Sequence, residues 1–99
     1  MMKTLSEIEN ILRNHLSDIK QRFKVKQLAV FGSYIKNKQK TGSDIDILVE
    51  FEDGYKTFDN FMDLKFYLKK ILRTKVDLVL KNAVREEFKN QIFKEAFYV

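Results

Sequence analysis

Residues 31–51 read F-G-S-Y-I-K-N-K-Q-K-T-G-S-D-I-D-I-L-V-E-F, and the end of this stretch decides the fold. Ile45, Ile47, Val49 and Phe51 alternate with Asp44, Asp46, Leu48 and Glu50, the period-two pattern of a strand with one buried face. Asp44 and Asp46 therefore point the same way, roughly 7 Å apart along the strand, while Ile45 and Ile47 point into a core behind them. A glycine and serine, Gly32-Ser33, close the preceding hydrophobic segment. Between the two halves lies K-N-K-Q-K-T-G-S (36–43), polar and without periodicity, which reads as a loop.

Working outward, Gln27-Leu28-Ala29-Val30-Phe31 reads as a short strand ended by Gly32. Before it, Leu5, Ile8, Leu12, Leu16, Ile19 and Phe23 recur at three- and four-residue steps, as on an amphipathic helix. Thr4 with Glu7, or Ser6 with Glu9, supplies a capping box. After the acidic strand, Glu52-Asp53-Gly54 is a turn signal. Phe58, Phe61, Met62, Lys65, Leu68, Ile71 and Leu72 follow helical spacing. Lys75-Val76-Asp77-Leu78-Val79-Leu80 is a third strand, and Val84, Phe88, Ile92 and Phe97 mark a final helix that frays near its end. The order helix, strand, strand, helix, strand, helix predicts one α/β (α+β) domain over residues 1–99, a small sheet covered mainly on one face. Nine phenylalanines supply the apolar area for its core.

Composition narrows the function. The chain has 99 residues, 44% hydrophobic and 33% charged, which fits a folded globular domain. No apolar run exceeds four residues, so no membrane span is predicted. The opening M-M-K-T-L-S-E-I-E-N carries no export signal, and a cytoplasmic location is expected. With no cysteine, thiol catalysis and a cysteine-ligated zinc are excluded, and a single histidine argues against any other zinc site. His15, near the apolar stripe of the first helix, reads as a partly buried structural residue. The formal charge of +5 comes with fifteen lysines and only four arginines. Arginine is the residue suited to bidentate phosphate or base recognition, so the charge argues against direct nucleic-acid binding.

The acids carry the chemistry. Asp77 sits between Val76 and Leu78 in an apolar strand, and joins the face of Asp44 and Asp46 if the two strands are neighbours. At about 5 Å and an effective dielectric near 20, each carboxylate pair costs on the order of 3 kcal/mol. A hard divalent ion offsets this; magnesium takes one or two carboxylates and completes its shell with water and substrate phosphates. Read singly, Asp44 caps a strand, Asp46 pairs with a lysine and Asp77 is an exposed strand residue. Read together, they describe a metal–phosphate site. Gly32 lets backbone approach a ligand closely, and the amide-rich start at Ser33 suits phosphate.

Gly32-Ser33, ten intervening residues and Asp44-Ile45-Asp46 resemble the signature of the nucleotidyltransferase superfamily. The chain is most similar to its minimal members, the MNT-domain or MntA-like antitoxins, with L-A-V-F-G-S before the gap, S-D-I-D-I-L-V-E-F after it and K-V-D-L-V-L as third strand. The resemblance covers about Leu28 to Leu80, and it implies the small nucleotidyltransferase fold with a three-stranded mixed sheet. It further implies that Asp44 and Asp46 hold the metal, two magnesium ions, and that Asp77 completes the site and helps activate the attacking hydroxyl. Gly32 and Ser33 would hold the phosphates of ATP, with Lys36 adding positive charge. Relatives often carry G-S-x-A-R-G, where this chain has Tyr34-Ile35-Lys36-Asn37 after the Gly-Ser pair. Lys36 keeps the charge and loses the planar fork. By resemblance, the partner is a helical HEPN-domain ribonuclease toxin, and the reaction is transfer of AMP from ATP to a toxin tyrosine. A catalytically inert binding antitoxin, or a nucleotidyltransferase acting on RNA or a small molecule, are the alternatives.

Overall fold

The computed structural model describes residues 4–32 and 44–99. The elements are α1 (Leu5–Phe23), β1 (Val25–Phe31), β2 (Ile45–Phe51), α2 (Phe58–Leu72), β3 (Val76–Leu80), α3 (Glu86–Glu95) and β4 (Phe97–Tyr98). A short 3-10 turn, Lys81–Ala83, joins β3 to α3.

The local chemistry explains most of these boundaries. Thr4 accepts from the Glu7 amide while Glu7 reaches back to the Thr4 amide, each at 3.2 Å, so the first of the two possible boxes caps α1. Thr57 caps α2 by accepting from the Asn60 amide. Both helices end on a left-handed residue, Lys24 and Arg73, each at φ 55°. Those residues turn the chain into the strands that follow. The turn at Gly54 has φ 85°, and the Tyr55 amide closes it onto the Glu52 carbonyl at 3.1 Å.

Strand order is β3-β2-β1-β4. β1 runs antiparallel to both β2 and β4, whereas β2 and β3 are parallel. Parallel neighbours need a crossover rather than a hairpin, and α2 provides it. Among the described residues the sheet thus has four strands, not three. The extra one, Phe97–Tyr98, falls where sequence periodicity continued the last helix through Phe97. Its two residues pair with Val30 and Ala29, and a strand that short carries no period of its own.

Leu28, Val30, Ile45, Ile47, Val49, Val76 and Leu78 bury one face of the sheet against Ile8, Leu12, Ile19 and Phe23 of α1 and Leu64, Leu68 and Leu72 of α2. The buried stripe of α2 is thus phased on Leu64, with Phe61 and Ile71 packed at its margin. Phe58, assigned to that stripe from spacing, is 77% exposed. It sits at the first helical position, before the turn that meets the sheet. Ala29 and Leu48 are also buried yet stand outside this cluster, on the opposite face. There Lys81 donates to the Gln27 amide oxygen at 2.7 Å and lies over the rings of Phe93 and Tyr98 at 5.3 and 5.8 Å. Glu50 approaches the same ammonium at 3.8 Å. Lys81 thereby ties α3 and β4 to the second face of the sheet.

One polar contact locks the helical layer. Asn60 donates from Nδ2 to the carbonyls of Phe23 and Tyr55, at 2.7 and 2.9 Å. The first of these carbonyls lies at the end of α1, where no helical amide remains to satisfy it. Asn60→Ala leaves both without this donor and is expected to cost about 1–3 kcal/mol, read as a lower urea midpoint at unchanged slope.

His15 is half-buried, its Nδ1 2.8 Å from the Ile11 carbonyl, in keeping with a structural role. Nearby, Tyr67 donates to Asp18 at 3.0 Å. Burial pushes the Tyr67 phenol above its ordinary range, and the bond to Asp18 adds to the rise. Among the described residues no helix is long and apolar enough to cross a membrane.

Candidate functional site

The parallel register of β2 and β3 places Asp46 directly opposite Asp77, flanked by the pairs Ile45–Val76 and Ile47–Leu78. Those flanking residues are buried, so their alternation turns both carboxylates to the other face of the sheet. Opposed residues on neighbouring strands stand about 5 Å apart at their backbones. Asp46 is half-buried and Asp77 exposed. Asp44 precedes β2 and is exposed.

On its other side Asp46 pairs with Phe31, the last residue of β1. Gly32 follows at φ 79°, a conformation that side chains disfavour. A Cβ added there would stand 3.0 Å from Asp46 Cγ and overlap its Oδ2. The glycine is therefore required twice over, by its backbone angle and by the carboxylate pressed against it. Ser33 and Lys36, expected to meet the phosphates, lie outside the described residues.

The structure thus brings together Asp46, Asp77 and Gly32. Among the described residues, no three His, Cys, Asp or Glu side chains are grouped so as to hold a metal ion by themselves. The donors present are hard carboxylate oxygens, two of them paired across the strands. That suits magnesium, which takes one or two carboxylates and leaves its other positions to water and phosphate. A softer ion would want nitrogen or sulfur ligands, and the chain has one histidine and no cysteine.

Two features of this face escape a reading by periodicity. Lys81 reads as an ordinary lysine after a strand, yet it joins Gln27 and Glu50 to two aromatic rings. Gln91, Ile92 and Glu95 of α3 border a cavity of about 250 Å³ with Phe31 and Gly32. The helical spacing of Ile92 was legible; its position beside Gly32 was not, because it depends on how α3 returns across the sheet. A larger groove, about 470 Å³ and lined by His15, Arg22, Tyr67 and Lys70 among others, lies between α1 and α2. It is on the far side of the sheet from Asp46 and Asp77, so its size gives it no part in their chemistry.

Residues 12–99 match the family model described as the nucleotidyltransferase domain. The chain is 47% identical to MJ1379 of Methanocaldococcus jannaschii, named as a candidate protein adenylyltransferase, over 99% of this chain and 100% of that protein. It is 40% identical to the protein adenylyltransferase MntA of Thermococcus cleftensis, over 99% of this chain and 98% of the relative. A crystal structure of a toxin–antitoxin with AMP-PNP superposes with a TM-score of 0.68 at 25% identity, covering 86% of this chain and 69% of that one.

Proposed function

The chain belongs to the nucleotidyltransferase-domain family and is a nucleotidyltransferase, and on that premise we propose that it is an antitoxin that transfers AMP from ATP to a tyrosine hydroxyl of a HEPN-domain ribonuclease toxin, neutralising it in the cytoplasm. The observation that carries this reading is the register pair Asp46–Asp77 with Gly32 packed against Asp46. Two opposed carboxylates beside a bare backbone are arranged for a cation-bound triphosphate.

In the proposed reaction the tyrosine oxygen bonds to the α-phosphorus as the bond from that phosphorus to the bridging oxygen breaks, and pyrophosphate leaves. Asp44, Asp46 and Asp77 are the residues that would hold magnesium. When bound, the ions neutralise the triphosphate and stabilise the attacking and leaving oxygens. Asp77, at the exposed edge of the pair, orients the incoming hydroxyl and takes its proton. Gly32 admits the phosphates to the end of β1 beside Asp46, and the family resemblance assigns Ser33 and Lys36 to their binding. The protein's share is chiefly positioning, which a domain of this size can supply without a further fold. The toxin brings the acceptor.

The relatives support this assignment by name, one as a protein adenylyltransferase MntA and one as a toxin–antitoxin assembly holding a nucleotide analogue. The test is transfer of label from α-³²P-ATP, with magnesium, to the co-expressed partner. We expect label on the toxin, a mass gain of one AMP, and loss of labelling when the modified tyrosine is changed to phenylalanine. Neutralisation without label would leave an inert binding antitoxin. Label on RNA or a small molecule in place of the toxin would reassign the acceptor.

A further inference from the structure

We infer that the acceptor protein enters the site as an added strand: an extended segment of it pairs with the outer edge of β3 and sets its tyrosine opposite Asp77. Such docking rests on the adenylyltransferase reading above and specifies how the acceptor is held. Among the described residues β3 is a terminal strand of the sheet, with β2 on one side and no strand on the other. The Ile45 amide donates to the Lys75 carbonyl at 3.0 Å, which fixes the phase of the parallel ladder. Lys75, Asp77 and Val79 therefore turn their backbone groups toward β2, while Val76, Leu78 and Leu80 turn theirs outward. A row of outward donors and acceptors is a template for one more strand.

This edge carries few of the devices that blunt such a row. Val76–Leu80 reads V-D-L-V-L, with no proline and no lysine, and its five pairs with β2 run in unbroken register. Its single charge, Asp77, belongs to the site. Strand addition also suits the reaction. Asp46 stands on one side of Asp77, so the acceptor's place is on the other, at the outer edge. In an added antiparallel strand the residue opposite Asp77 forms a non-hydrogen-bonded pair, with Cα atoms about 4.5 Å apart and side chains at their closest. Its side chain projects to the face of the two acids, and a tyrosine there leans its hydroxyl toward Asp77. Main-chain bonds to Val76 and Leu78 supply affinity, and the one side chain over the acids supplies specificity.

The test uses the full chain with the co-expressed toxin, whose labelled tyrosine is located by mass. Leu80 has φ −70°, which suits proline, and its amide points away from β2. Leu80→Pro therefore keeps the sheet, removes an outward donor and obstructs an added strand. It is expected to raise KM for the toxin about fivefold at unchanged kcat. The second measurement is cross-linking. This chain has no cysteine, so Val79→Cys, on the same face of β3 as Asp77, supplies a single thiol. In a toxin otherwise free of cysteine, a thiol two residues before the tyrosine should form a disulfide with it, and a thiol one residue before should not. A disulfide from two residues after the tyrosine marks a parallel added strand and supports the same docking. If Leu80→Pro does not fold, the cysteine pattern alone decides. Unchanged KM in a folded Leu80→Pro, or cross-linking without this alternation, overturns strand addition while leaving AMP transfer intact. A wild-type chain that labels no toxin overturns the adenylyltransferase reading itself, and this docking with it.

Discussion

Asp46→Asn is expected to lower AMP transfer at least about a hundredfold while leaving the chain folded. The two halves of this expectation come from one geometry. Asp46 faces Asp77 across parallel strands, and in the absence of a cation the two charges repel. Asparagine keeps the shape and an acceptor oxygen and removes the charge, so the strand pairing is retained. On the proposed assignment, the same change removes a ligand of the metal-bound triphosphate. Asp77→Asn should behave alike, and the double variant should be little worse than either single one, because both residues serve one site. Thermal unfolding with and without magnesium and AMP-PNP supplies the second readout. The wild type should gain stability from the pair of ligands, and the asparagine variants should gain much less. Wild-type transfer rates in Asp46→Asn would remove the basis for the catalytic assignment. A variant that simply unfolds would instead show Asp46 to be a structural residue.

The second large effect is expected at Gly32. Alanine at φ 79° pays about 1–2 kcal/mol for a left-handed backbone. Its Cβ also falls on the Asp46 carboxylate, so either that side chain or the end of β1 must move. A total loss of about 2–4 kcal/mol is expected, with AMP transfer lost nearly as completely as in Asp46→Asn. Gly54→Ala is the control. Gly54 has a similar φ of 85°, but nothing lies within 4 Å of its added Cβ. It should therefore cost only the backbone term and leave transfer intact. If both alanine variants lose stability equally and both keep activity, the close contact between Gly32 and Asp46 has no functional weight.

Much of this site was legible before any coordinates. The alternation from Asp44 to Phe51 announces a strand with acids on one side, and the burial of Ile45, Ile47 and Val49 follows it. The capping chemistry of Thr4 and Glu7 was equally local, and so was the turn at Gly54. Periodicity failed at Phe58 and Phe97 for related reasons. Phe58 has the right spacing but sits at the first helical position, short of the sheet. Phe97, five residues after Ile92, reads as the fraying end of α3 yet leaves it to pair with Val30, a choice made by an unpaired sheet edge far away in sequence. Lys81 shows the same limit, since its partners Gln27, Glu50, Phe93 and Tyr98 are drawn from four separate segments of the chain.

By itself, the sequence determined which residues carry charge into an apolar strand, how far apart they stand along it, and that a glycine ends the strand before. Those are properties of bonded neighbours and of a two-residue repeat, and they survive without knowledge of the fold. Only the tertiary structure decided that β3 lies beside β2 in the register that sets Asp77 against Asp46, and that α3 returns across the second face to wall a cavity at Gly32. Strand order and register are settled by the burial of the whole apolar set at once, a sum over distant residues that no local pattern contains.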